Sequence, residues 1–331
     1  MVWVDNAKIL SSFAVIVLHI SSVVVLGVDD RHTSIWWAGN IYDSLSRWCV
    51  PVFIMISGFL LLDPSKKEPL KVYYQKRFSK IFIPVFFWTL FYLFWVWLAG
   101  VIKQDSITLA VLTQKVFTGQ VYYHMWYLYM LLGLYLVAPF FRKLVGVVSF
   151  KELSLLCLIM FFMSVTQNIA NHLSDCENTL FYNWFLLYLP YFIIGYVICY
   201  VDLSKYNWLI AAVFWGSVIT TALGSYFLSS NYDFETYFYS YLSINVITMS
   251  ICVLFLFKRL IKNLVNPHFS TFFLGIYLIH PVCIDVLKLF GITPLSFHPL
   301  FSIPIISFIV FLMSIISVKM ILKVPHLSKV I

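Results

Sequence analysis

The chain has 331 residues, 62% of them hydrophobic and only 11% charged, with a mean hydropathy of +0.91 and a net charge of +8. A soluble domain of this length needs far more charge to cover its surface, so that class is excluded. The positive balance is no nucleic-acid footprint either, because no solvated domain exists to carry a contiguous basic face.

Apolar blocks long enough to cross a hydrocarbon core of about 30 Å recur along the chain. They predict spans at 9–27, 41–62, 80–102, 124–141, 152–168, 182–200, 207–228, 241–257, 271–289 and 299–322. The expected fold is an all-α, polytopic integral membrane protein of about ten transmembrane helices, a single domain over 1–331. The first block reads as a retained helix: Asp5 and Lys8 precede a long stretch carrying His19, and no Ala-x-Ala cleavage site follows. Ionisable groups inside spans are expensive, so each marks a candidate site. His19 lies about 16 Å beyond Lys8 at the rise of a helix. A neutral imidazole at that depth can take a proton from a hydroxyl, the role of a general base. The plainer alternative is a ring that donates to a neighbouring carbonyl.

Arg47 in the second span lies about 9 Å from the helix start expected at Ile41. Its guanidinium stays charged, so it requires a carboxylate, an anionic ligand or a water-filled cavity. Asp43, one turn earlier, offers simple pairing. After the basic loop 63–79, Lys76, Arg77 and Lys80 fall on one side of a helix entering the membrane. Topology and anionic lipid headgroups account for most such runs. A dock for a phosphate-bearing cytoplasmic cofactor is the sharper reading.

The segment Tyr122 to Tyr129 leads from an outer loop into the fourth span. An interfacial aromatic belt explains most of it, with His124 the exception and Trp126 able to offer an apolar face to a sugar. In the ninth span Tyr277 and His280 share a helix face, and Pro281 predicts a kink. His280 lies about 14 Å beyond Thr271, and Asp285 is the fourth ionisable group inside a span. His19, Arg47 and His280 sit at depths that allow them to meet if their helices pack together. Of the six cysteines, Cys49, Cys157, Cys199, Cys252 and Cys283 lie in or beside spans and Cys176 in an outer loop. No C-x-x-C spacing occurs, so neither a metal site nor a redox pair is expected.

Basic residues orient the chain. With the N-terminus cytoplasmic, seventeen of the twenty-two Lys and Arg residues, from Lys8 to Lys329, fall on the cytoplasmic side. Only Arg31, Lys103, Lys115 and Lys288 fall outside, with Asp29, Asp30, Asp105, Asp175, Glu177, Asp233 and Glu235. This positive-inside split predicts that both termini are cytoplasmic.

Five segments together carry a family resemblance. Asp5, Lys8 and His19 match an Asp, a basic residue three later and a His eleven beyond that. Ser46 to Leu60 contains Arg47 followed by Val-Pro-Val-Phe-Ile-Met-Ile-Ser-Gly over 50–58, and 76–84 reads Lys-Arg-Phe-Ser-Lys-Ile-Phe-Ile-Pro. The last two are Tyr-His-Met-Trp over 123–126 and Leu-Gly-Ile-Tyr-Leu-Ile-His over 274–280. The chain thereby resembles the acyltransferase-3 family of bacterial membrane acyltransferases, closest to the branch that O-acetylates surface polysaccharide such as enterobacterial common antigen. Lys8 and Lys80 stand where that family often has Arg, and Lys lacks the planar two-pronged fork.

The resemblance implies a bacterial inner-membrane enzyme that moves an acetyl group from acetyl-CoA to a hydroxyl of a cell-surface or lipid-linked glycan. It implies His19 and Arg47 as catalytic residues, the first as base and the second stabilising charge on the thioester oxygen. His124, Trp126, Tyr277 and His280 would bind the acceptor, and Lys8, Lys76, Arg77 and Lys80 the acyl-CoA, with no metal. Physics alone fits a rival equally well, a polysaccharide or lipid-linked sugar transporter whose pathway the same residues line.

Overall fold

The computed structural model describes residues 2–105, 107–174, 181–229, 236–260 and 272–331. Cys176, Asp175, Glu177, Asp233, Glu235, Lys262 and Thr271 lie outside the described residues. Among the described residues the fold is all helical. The helices are α1 (Val2–Gly27), α2 (Ser34–Ser46), α3 (Cys49–Leu61), α4 (Leu70–Arg77), α5 (Ile83–Lys103), α6 (Leu109–Phe117) and α7 (Met125–Val145). They continue as α8 (Phe150–Ser174), α9 (Trp184–Tyr200), α10 (Asn207–Leu228), α11 (Ile244–Leu260), α12 (Phe273–Leu289) and α13 (Pro299–Leu322). Nine candidate spans are long and apolar enough to cross a membrane among the described residues, with α2–α3 and α4–α5 each forming one. At 17 residues α12 falls just short of that length. The chain is a polytopic membrane protein.

Several helices begin earlier than the apolar blocks. The first starts at Val2 rather than 9, and the second span at Ser34 rather than 41. In the second span, Asn40, a polar residue that depresses hydropathy, has partners inside the bundle. Asn40 donates from Nδ2 to the Ala222 carbonyl at 3.0 Å and accepts from Ser44 and Tyr239. The second span breaks at Arg47 and Trp48, between α2 and α3. Pro51 causes the break, because it has no N–H for the Arg47 carbonyl.

Burial separates core from periphery. About 67% of the α2–α3 span is buried but only 17% of α8, whose outward face is Leu155, Leu158, Phe162 and Met163. In the core, α3 and α9 touch backbone to backbone: a Cβ at Gly58 would overlap the Phe192 carbonyl, and one at Gly195 the Met55 carbonyl. Small residues that admit such approach are how membrane helices gain packing without a hydrophobic drive between them.

Both chain ends share one face, called here the terminal face. Trp88 Nε1 donates to the Val330 carbonyl at 2.8 Å, and the Lys8 ammonium sits 4.8 Å from the Phe273 ring. Several cations on this face cap helices. Arg142 donates from Nε to the Leu61 carbonyl at 2.7 Å and from Nη1 to the Lys66 carbonyl at 3.2 Å. Lys258 Nζ donates to the Cys199 carbonyl at 2.6 Å and the Val201 carbonyl at 3.0 Å. C-terminal carbonyls have no intrahelical partner, and a cation there also complements the helix dipole.

Candidate active site

Two cavities lie on opposite sides of a thin septum of side chains. The larger, about 1120 Å³, is walled by Asp43 and Arg47, by Tyr122, Tyr123 and Trp126, and by residues of α8, α9 and the turn Tyr237–Tyr239. The smaller, about 80 Å³, is lined by Lys8, Ser57, Tyr127, Tyr135, Phe273 and Tyr277, among others.

The septum is built around three imidazoles. His19 comes from α1, His280 from α12, and His124 is the residue just before α7. The His19 ring packs 4.7 Å from Tyr123, which walls the large cavity, and 5.3 Å from His280. The His19 and His280 rings are stacked, with planes 19° apart. They therefore do not hydrogen-bond each other, since a ring N–H points along its own plane. His124 completes the group, 5.6 Å from His280 and 5.5 Å from Tyr277.

Each ring is held differently. His280 Nδ1 lies 3.2 Å from the Ile276 carbonyl, so that nitrogen carries the proton and Nε2 presents a lone pair. Tyr277 donates its hydroxyl to the backbone carbonyl of His124 at 2.6 Å. Among the described residues no protein group hydrogen-bonds His280 Nε2, His124 Nδ1 or His124 Nε2, although all three are buried. An unsatisfied buried donor or acceptor costs about 1–3 kcal/mol. A fold that leaves three of them together, on one septum, is organised for something other than stability.

The neighbouring polar groups brace this septum. Trp95 Nε1 donates to Asp285 Oδ2 at 2.8 Å, and the Tyr122 hydroxyl donates to the same oxygen. Burial first, and then the Asp285 carboxylate, push the Tyr122 phenol above its ordinary value, so it stays a donor. Tyr92 stacks on Tyr122 at 4.6 Å and donates to the Leu278 carbonyl at 2.6 Å, one turn before the proline in α12. Asp285 thus ties α5, α12 and the 118–124 loop together where Tyr123 and His124 enter the septum.

Arg47 has another environment. It is ion-paired with Asp43, donates from Nη1 to the Tyr239 carbonyl at 3.1 Å, and lies 4.3 Å from the Tyr239 ring. Asp43 also accepts from Ser21 on α1, two residues past His19. The guanidinium stands on the wall of the large cavity. Trp126 faces the same cavity, stacked on Tyr241 at 5.6 Å.

The four cations expected to hold a cofactor divide into two pairs. Lys8 lines the small cavity, and the Arg77 guanidinium lies 6.0 Å from the Tyr135 ring, which lines it too. Arg77 also lies 5.2 Å from the Tyr73 ring, and its Nε is buried with no protein partner. Lys76 instead pairs with Glu68 at 2.5 Å on the exposed surface and holds that carboxyl below its usual range, while Lys80 is exposed in the π-helical turn Phe78–Phe82. Among the described residues no three His, Cys, Asp or Glu side chains are placed to hold a metal.

Sequence reasoning passed over Tyr123, Tyr239 and Asn168. Tyr123 was hidden in an aromatic run that interfacial anchoring explains, and Tyr239 lies 192 residues from the Arg47 it contacts. Asn168 carried a readable signal, a carboxamide in the apolar α8. It walls the large cavity, with Oδ1 accepting from Ser240 and Nδ2 buried without a protein partner.

No curated protein and no solved structure matches the chain. A family model described as Acyltransferase domain, Acyl_transf_3, matches residues 1–322. That match covers every element of the septum, and the chain belongs to the acyltransferase-3 family of membrane acyltransferases.

Proposed function

We propose that this acyltransferase moves an acetyl group from acetyl-CoA on the terminal face to a hydroxyl of a glycan held in the large cavity. In this reading the membrane is a bacterial inner membrane and the terminal face its cytoplasmic side, which the bias of Lys and Arg towards one side supports. One observation carries the proposal: His19 stands in a septum between two cavities of opposite character.

The small cavity suits the donor. It begins at Lys8 and near Arg77, cations that complement CoA phosphates, and ends at Tyr277 in the septum. The large cavity suits a carbohydrate, with aromatic faces from Trp126, Trp184 and Tyr188 and amide donors such as Asn168. Apolar walls with a few convergent polar groups are the usual make-up of such sites. His19 takes the proton of the acceptor hydroxyl as its oxygen attacks the thioester carbonyl, and returns it to the departing CoA sulfur. Arg47, neutralised by Asp43, binds the acceptor from the cavity wall rather than opposing charge on the thioester oxygen.

The test uses the purified full chain in lipid nanodiscs with radiolabelled acetyl-CoA and a panel of neutral, acidic and N-acetylated oligosaccharides. An alkali-labile acetyl ester is expected on the oligosaccharide, absent with His19→Ala. Binding or passage of sugar with no covalent product would favour the transporter instead.

A further inference from the structure

Three imidazoles meet in the septum, and one of them carries an N–H with no role yet assigned. His280 has its N–H committed to the Ile276 carbonyl and offers only the Nε2 lone pair. His19 must hold a lone pair on one nitrogen to act as a base, and its N–H, on the other edge of the same ring, points away from the proton it takes. His124 is neither: both its nitrogens are buried and unbonded by protein, so its single N–H is uncommitted. The Arg47 guanidinium, the obvious alternative, is already engaged by Asp43 and the Tyr239 carbonyl.

The scaffold nonetheless fixes the His124 ring tightly. Tyr277 holds its backbone carbonyl at 2.6 Å, and Tyr92 packs edge-on against the ring at 4.8 Å. The adjacent Tyr122 is anchored to Asp285. A buried donor held rigidly, with no protein group to bond, is what stabilisation of a developing charge requires. Its position fits as well, since Tyr123 before it walls the acceptor cavity and Tyr277 beside it lines the donor cavity.

We propose that His124 is a catalytic residue whose ring N–H donates to the carbonyl oxygen of the acyl group as that oxygen becomes an oxyanion. The assignment rests on the acyl-transfer reading above. The acceptor oxygen forms a bond to the carbonyl carbon while its proton passes to His19. The carbonyl π electrons move onto the oxygen that His124 holds. Collapse restores the C=O bond and breaks the C–S bond, and the leaving thiolate takes the proton from His19. The products are the acetyl ester and CoA thiol.

Packing and hydrogen bonding predict opposite outcomes at this position. His124→Phe keeps a flat ring among the same aromatic faces but has no donor. His124→Gln loses the ring but keeps an N–H. Each variant is assayed in nanodiscs with acetyl-CoA and an oligosaccharide that the wild type acetylates, with thermal melting recorded alongside. We expect His124→Phe to lose about 10²–10³-fold in kcat with the acetyl-CoA KM within twofold, and His124→Gln to stay within tenfold of wild type. Tyr277→Phe, which leaves the ring but removes its anchor, should lower kcat severalfold at constant KM, and this measurement decides the matter should the Phe variant not fold. Full turnover in His124→Phe, a Gln variant as impaired as Phe, or an unaltered kcat in Tyr277→Phe would each overturn the assignment. A wild type that acetylates no oligosaccharide defeats the acyl-transfer reading itself, whereas an active wild type with an active Phe variant defeats only the role of His124.

Discussion

Arg142 on the terminal face and the His124 and His280 imidazoles of the septum are buried polar side chains treated in opposite ways. On the terminal face Arg142 is almost fully buried, and its guanidinium is bound to the carbonyls that end α3 and open the following loop. In the septum His124 and His280 are at least as buried, yet three of their four ring nitrogens meet no protein partner. A completed set of hydrogen bonds stabilises a helix end; an incomplete set, rigidly framed, waits for a substrate atom. The difference separates Arg142, which holds the bundle together, from the imidazoles proposed to act.

Substitutions should reproduce that division. The largest effect falls on the septum: His19→Ala should lower acetyl transfer about 10²–10⁴-fold with membrane abundance and melting temperature unchanged. Arg142→Ala should do the reverse, reducing stability by about 2–3 kcal/mol through lost charged hydrogen bonds. Activity per folded molecule would be retained, and urea titration in detergent alongside the transfer assay reads both. If Arg142→Ala abolishes turnover in fully folded protein, the division fails at its structural end.

Asp285 lies between the two classes, because its two donors brace the loop that delivers Tyr123 and His124. Asp285→Leu is expected to lower kcat about tenfold, the scale of an imperfectly positioned catalytic group. Asp285→Asn, which still accepts from Tyr122 and Trp95, should recover most of it. Equal losses in both variants would mean that the charge matters rather than the acceptor. The smallest effects belong to Arg77 and Lys76. Arg77→Ala should raise the KM for acetyl-CoA severalfold with kcat constant, while Lys76→Ala, already tied to Glu68, should leave both within twofold. A larger KM shift for Lys76 than for Arg77 would relocate the donor's entrance to the exposed edge.

The helices themselves could be read from the sequence, because membrane crossing demands long apolar blocks that few other structures contain. His19 and His280 could be singled out for the same reason: an ionisable group in such a block has few explanations. Their stacking at 5.3 Å could not, since it depends on α1 packing beside α12. Arg47 shows the limit most clearly. Its spacing from Asp43 announced the ion pair, but its place on the cavity wall depends on Tyr239 from a turn far along the chain. The break at Arg47 and Trp48 was not legible, because the apolar block reads as one continuous span, and the early start at Ser34 was masked by Asn40, whose partner lies on α10. Tyr123 was the least visible, one aromatic among several, distinguished only by the ring it touches.

The central claim is that donor and acceptor meet across a septum from opposite faces of the membrane. It is tested most directly in proteoliposomes of uniform orientation, with radiolabelled acetyl-CoA supplied only at the terminal face and an accepted oligosaccharide only at the other. Labelled ester should accumulate on the oligosaccharide side while acetyl-CoA stays confined to its own. Label that forms only when both substrates share one compartment would contradict the account.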